Sequence, residues 1–166
     1  PICLIHPRIF IFAERVHIDN SHLYTIFNDK SFENSFKTSS FTNLRHLTIT
    51  NIRNKNLVIQ GPFFPDSPLE YVDLSNNGIE DFEDFYQLDR KPTIHDKLIE
   101  LYLNDNKLTF IPENLLVLFP KLEIFHIYNN PIFVLSSYSI KQLYQLQECL
   151  IFGATKSGLF ILYLFA

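Results

Sequence analysis

The stretch "LEYVDLSNNGIEDF" (Leu69–Phe82) decides how this chain is read. Apolar residues fall at Leu69, Val72, Leu74 and Ile79, and an asparagine, Asn77, stands two places before the last. A half-buried strand alternates every two residues, and an amphipathic helix repeats every three to four. Here the steps run three, two, three, two, and then the pattern turns.

The same spacing returns along the chain. "LIELYLNDNKLTFI" places Leu98, Leu101, Leu103, Asn106 and Leu108 on it, and "LEIFHIYNNPIFVL" places Leu122, Phe125, Ile127, Asn130 and Ile132. Upstream, Leu44, Leu47 and Ile49 fit, with Ile52 in the asparagine slot. Ala13, Val16, Ile18, Ser21 and Leu23 fit with two substitutions, and Leu146, Cys149 and Ile151 fit with Ala154 in the asparagine slot. Unit starts at 13, 44, 69, 98, 122 and 146 give intervals of 31, 25, 29, 24 and 24 residues.

A self-similar unit of this length, L-x-x-L-x-L-x-x-N-x-L, resembles the leucine-rich repeat family. The resemblance covers roughly 13–152 and is closest at Leu69–Leu135. It implies an α/β fold: a leucine-rich repeat solenoid with a concave parallel sheet and a mostly irregular convex side with short helical turns. The chain reads as a single domain over 1–166. Its clear repeats run from about 44 to 152, with a divergent repeat or cap at 1–43 and a cap or tail at 153–166. Phrases such as "LTFIPENLLVLFPKLEIF" look like arthropod extracellular repeats.

Strand side chains alternate between faces, so Val72 and Leu74 are expected to point inward and Tyr71, Asp73 and Ser75 outward. Backbone polar groups are buried where each unit turns in after its strand. An inward asparagine both donates and accepts, so Asn77, Asn106 and Asn130 are expected to form a structural ladder. One unit cannot bury its apolar face alone, and stability comes from stacking. Phe82, Phe85, Ile111, Leu116, Phe119 and Leu135 supply the core behind the strands; the chain holds 17 phenylalanines in 166 residues. "PENLLVLFP" (Pro112–Pro120) reads as a helical turn or two between prolines. "SYSIKQLYQLQ" (Ser137–Gln147) has Ile140, Leu143, Tyr144 and Gln147 at helical spacing and begins with good N-cap residues, so it reads as a helix.

Net charge is −4, spread over both signs, with no basic stripe. Nucleic acid and anionic membrane are therefore not expected as partners. The acidic run Glu80–Asp89 lacks the glycine and ligand spacing of a calcium loop and reads as solvated. Cys3 and Cys149 are the two cysteines. They lie near opposite ends and are not expected to pair. Cys149 sits in an inward slot, where a free thiol packs as a small apolar group. No N-x-[ST] sequon occurs. The chain begins with Pro1 and reads as a fragment or a processed product. "PICLIHPRIFIFA" lacks the features of a signal peptide. "GLFILYLFA" (Gly158–Ala166) is about half the length of a membrane span and reads as a buried or capping strand.

No phosphate-binding loop, G-x-S-x-G, H-E-x-x-H or C-x-x-C motif is present, so no catalytic residues and no cofactor are assigned. His17, Asp19 and His46 could approach across adjacent strands, but a metal site is not expected there. The outward positions remain: Arg15, His17, Asp19, His46, Thr48, Thr50, Tyr71, Asp73, Ser75, Glu100, Tyr102, Asn104, Ile124, His126 and Tyr128. Six strands at about 4.8 Å spacing span roughly 25 Å, enough for a protein segment. Tyrosine offers apolar area with a polar tip, and Tyr71, Tyr102, His126 and Tyr128 form an aromatic strip.

The partner-binding set is Tyr71, Asp73, Glu100, Tyr102, Asn104, Ile124, His126 and Tyr128. The resemblance implies a non-catalytic protein-binding module, secreted or at the cell surface, engaging a protein partner on the concave face. The alternatives are a cytoplasmic adaptor, the recognition fragment of a larger enzyme complex, and a degraded repeat remnant.

Overall fold

The computed structural model describes residues 12–19, 41–52, 67–80, 94–111, 113, 115–155 and 158–165. Cys3, Ser21, Leu23, Phe82, Phe85 and the acidic run beyond Glu80 lie outside the described residues. Strands β1 (Arg15–Asp19), β2 (His46–Thr50), β3 (Tyr71–Asp73), β4 (Glu100–Tyr102), β5 (Ile124–His126), β6 (Glu148–Thr155) and β7 (Gly158–Phe165) form one sheet in chain order. β1 to β6 pair in parallel, and β7 returns antiparallel on β6. This is the solenoid with a parallel sheet and short helical turns that the resemblance implied.

Equal spacing within the units fixes the register. Tyr71 pairs with Glu100, Glu100 with Ile124, and Ile124 with Glu148, so each unit presents the same slot to its neighbour. The inward slots close over one core. Val72, Leu74, Leu101, Leu103, Phe125, Ile127, Cys149 and Ile151 are buried, with Leu69, Leu98, Leu122 and Leu146 at the strand entries and Ile79, Leu108 and Ile132 beyond the turns. Each such side chain contributes about 1.5–3 kcal/mol by leaving water. Val16 and Ile18 of β1 are only partly buried against this core, because β1 is the edge strand with one described neighbour.

After each strand the chain needs one left-handed residue. Asn51 (φ 54°), Asn76 (φ 56°), Asp105 (φ 57°) and Asn129 (φ 54°) provide it, each immediately before the ladder slot. Asparagine and aspartate tolerate this region better than other non-glycine residues. The ladder follows. Asn106 Oδ1 accepts from the N–H groups of Asn77 and Ile79, both at 3.0 Å, and its Nδ2 donates to the carbonyls of Leu74 (3.0 Å) and Leu103 (2.9 Å). Asn77 likewise accepts from Ile52 N–H at 3.0 Å and donates to Leu74 O at 2.9 Å. Asn130 accepts from Leu108 N–H at 2.9 Å and donates to Leu103 O at 2.8 Å and Ile127 O at 2.9 Å. Each asparagine thus serves its own turn and the preceding one. Ile52 can replace asparagine because Asn77 satisfies its backbone from the next unit.

At the other end the ladder stops with the turn it serves. Ala154 occupies the asparagine slot, and β6 runs on through it to Thr155. There the backbone bonds to β7, with Cys149 opposite Leu164 and Ala154 opposite Leu159. The apolar tail is therefore a strand that covers the open edge of β6.

On the far wall, α1 (Leu115–Leu118) falls inside the proline-bounded stretch. Ile111 and Phe119 are buried, and Leu116 and Leu135 pack against the core. The second helix, α2 (Ser137–Leu143), is capped by Ser136, whose side chain accepts from Ser139 N–H. Its buried face does not follow the spacing of Ile140, Leu143, Tyr144 and Gln147. Ser139, Gln142 and Leu143 are buried, Ile140 is half-buried, and Tyr144 and Gln147 are exposed beyond the helix end. The reason is hydrogen bonding. Gln142 Nε2 donates to Glu113 O at 2.6 Å, and its Oε1 accepts from Leu116 N–H at 3.3 Å. A one-turn helix leaves its first N–H groups unpaired, and Gln142 turns inward to serve one of them.

Candidate functional site

The outward residues of β2 to β5 and of the turns that follow form a continuous ruled surface. Tyr71, Asp73, Glu100, Tyr102, Asn104, Ile124, His126 and Tyr128 are all half-buried on it, as parallel pairing requires of side chains standing side by side on one face. The rings are in mutual contact. Tyr71 and Tyr102 lie 5.3 Å apart between centroids, Tyr102 meets His126 edge-on at 4.9 Å, and His126 meets Tyr128 at 6.1 Å. His46 extends the strip by stacking on Tyr71 at 5.9 Å. The sequence marked His46 as outward without placing it in the strip; its slot, level with Tyr71, was the available signal.

Polar partners hold the rings and carboxylates in place. Tyr102 OH donates to Glu100 Oε2 at 2.8 Å. Asp73 Oδ1 accepts from Ser75 N–H at 2.9 Å and from Ser75 Oγ–H at 2.6 Å. His126 Nε2 lies 2.7 Å from Glu148 Oε1. Glu148 is a second residue the sequence reading passed over, although it falls in the slot of Tyr71, Glu100 and Ile124. Burial raises the Tyr102 phenol pKa well above the ordinary range, reinforced by the hydrogen bond and charge of Glu100 and then by Tyr71 and Glu148. Burial also raises Tyr71, followed by the charges of Asp73 and Glu100.

Charged side chains of both signs stand along the sheet. Arg15, His17, Arg45 and His46 lie on or beside β1 and β2, and Arg45 pairs with Glu70. Outward slots of β3, β4 and β6 carry Asp73, Glu100 and Glu148. Asp19 accepts from Thr50 Oγ1 at 3.0 Å and Asn51 Nδ2 at 2.7 Å. Asn51 also bonds Asn76, and Asn129 Nδ2 donates to Asp105 Oδ1 at 2.8 Å. The left-handed residues thus make a second, exposed row of side-chain bonds beside the buried ladder. The repeated N-N and D-N dipeptides carried that signal in the sequence. Among the described residues no group of three or more His, Cys, Asp or Glu is placed to hold a metal, and no helix is long and apolar enough to cross a membrane.

Stacked strand–turn units, an asparagine ladder behind them and a ruled polar sheet in front define a repeat solenoid. The Leucine Rich Repeat family model matches residues 97–118, the unit that begins at Leu98. That unit is thus similar to a leucine-rich repeat, and the parallel stack of strands is consistent with a leucine-rich repeat solenoid. Such repeats are typically interaction modules without catalytic activity. No curated protein matches the chain.

Proposed function

We propose that this chain binds a protein partner through the concave face and carries out no catalysis. The observation that carries this reading is the aromatic strip. His46, Tyr71, Tyr102, His126 and Tyr128 stand in contact across four successive strands and the turn after the last of them. Rigid aromatic area with polar tips suits a binding hot spot. The inward rows already satisfy packing, so nothing in the fold itself requires tyrosine at these outward slots. The likeness of its phrases to arthropod extracellular repeats favours secretion or the cell surface as its place of action.

Paired affinity capture from source extract tests the reading. One bait is the wild-type chain, and the other carries Tyr71→Ala, Tyr102→Ala and Tyr128→Ala. A control bait carries Phe133→Ser, Tyr138→Ser and Tyr144→Ser, which are exposed and off the strip. Circular dichroism must match for all three. A protein held by the wild type and the control but lost from the tyrosine variant supports the concave site. Equal retention by the tyrosine variant refutes it.

A further inference from the structure

Several carboxylates of the surface have a cationic neighbour. Glu70 has Arg45, Glu80 has Lys107 and Glu148 has His126 as cationic neighbour. Asp73 and Glu100 bond only to hydroxyl and amide donors of their own units. Among the described residues neither meets a lysine or an arginine, although both stand in the centre of the sheet.

Register places these two carboxylates in a square with two tyrosines. Tyr71 pairs with Glu100 and Asp73 pairs with Tyr102, so ring and carboxylate alternate at the corners. The rings are 5.3 Å apart and tilted by 40°, which leaves an aromatic surface between the two acids. Each acid is fixed through one oxygen, Glu100 by the Tyr102 hydroxyl at 2.8 Å and Asp73 by Ser75 at 2.6 Å.

We propose that Tyr71, Asp73, Glu100 and Tyr102 form a seat for one basic side chain, lysine or arginine, of the bound protein partner; this rests on the concave-face reading above. A cation over tyrosine is attracted by the ring quadrupole, and two flanking carboxylates add to the attraction. An apolar side chain placed here would strip water from both acids without giving them a partner, which is costly. An acidic side chain would meet like charge. Arginine suits the square well, since its planar group stacks on a ring while forking to a carboxylate. The same negative field opposes loss of the Tyr71 and Tyr102 phenol protons, after the larger effect of burial.

The test is a titration followed by NMR of carbon-13-labelled tyrosine rings. The probes are acetyl-Gly-Gly-Arg-Gly-Gly-amide, its lysine analogue and its neutral citrulline analogue. The basic peptides are expected to shift the Tyr71 and Tyr102 rings, and the citrulline peptide to leave them in place. Asp73→Asn with Glu100→Gln keeps the acceptors for Ser75 and Tyr102, so the fold is retained, and is expected to weaken peptide binding about tenfold. Equal shifts from citrulline, unchanged affinity in the double variant, or no ring shift from either basic peptide overturns the seat. Capture separates this failure from that of the broader reading. A partner lost from the triple tyrosine bait but held by Asp73→Asn/Glu100→Gln removes the seat and leaves the concave site standing. A partner held by the triple tyrosine bait removes both.

Discussion

Asn106→Ala is the substitution that asks most of the ladder. Asn106 lies 6% exposed between two units. Its Oδ1 is the acceptor for two buried N–H groups, those of Asn77 and Ile79, at 3.0 Å each. Its Nδ2 donates to Leu74 O at 3.0 Å, Leu103 O at 2.9 Å and Asn104 O at 3.2 Å. Alanine leaves both N–H donors without their acceptor, and an orphaned buried donor costs about 1–3 kcal/mol. The carbonyls tolerate the loss better because each has a second lone pair. The expected destabilisation is about 4 kcal/mol, a large share of the roughly 5–15 kcal/mol that holds a domain together. Asn76→Ala is the matched control. Asn76 is exposed at φ 56°, so alanine there costs only about 1–2 kcal/mol of left-handed strain. Urea unfolding followed by far-ultraviolet circular dichroism measures both variants, with unchanged m-values confirming that the comparison is like for like. A loss below about 1 kcal/mol for Asn106→Ala, or one no greater than for Asn76→Ala, would refute the claim that the asparagine amide holds the turns together.

Three further outcomes follow from buried groups. Phe125→Ala empties the largest fully buried side chain among the described residues and is expected to cost about 3–5 kcal/mol in the same urea assay. Burial pushes the Cys149 thiol up to about 12, so site-resolved mass spectrometry at pH 8 should find it unlabelled by a maleimide until the chain is unfolded. His95 is buried against Phe119, and burial lowers its pKa from 6.5 to about 4, with Asp96 opposing weakly. Above pH 6.5 it is neutral in both folded and unfolded chains; between there and about 4 the unfolded chain takes up a proton that the folded chain refuses. Stability should therefore fall with pH across that window by about 3 kcal/mol, and His95→Leu should flatten that part of the profile.

Much of the fold was legible because each unit repeats one physical problem. Inward apolar slots at Val72, Leu101, Phe125 and Cys149 align only if the strands stack in register, and the spacing alone says so. The ladder was legible for the same reason: a buried turn needs a donor and an acceptor, and asparagine alone recurs there. The buried face of α2 was not legible because periodicity records hydrophobicity and not hydrogen bonding. Gln142 is polar, and its burial follows from unpaired N–H groups on a different helix. The contacts of His46 with Tyr71 and of Glu148 with His126 were not legible for a related reason. Each belongs to a unit with a substituted asparagine slot, where the pattern blurs, and only strand pairing sets it level with Tyr71 or Glu100.

On the proposed reading the two faces of the sheet divide the work, and this makes the proposed site separable from the fold. Stability resides in the inward rows and in Asn77, Asn106 and Asn130, which touch backbone on the core side of each turn. The outward rows are anchored by contacts among themselves, as Tyr102 is by Glu100 and Asp73 by Ser75. In a stacked array each unit is supported by its neighbours, so β3 to β5 are braced on both sides while β1 is braced on one. A binding surface that must present rings and charges at fixed spacing belongs on the braced strands. The aromatic strip stands on β2 to β5, each paired on both sides, and on the turn after β5, and Asp73 and Glu100 stand on β3 and β4. Changes at Tyr71, Tyr102, Asp73 and Glu100 should therefore alter what the protein holds far more than how firmly it folds.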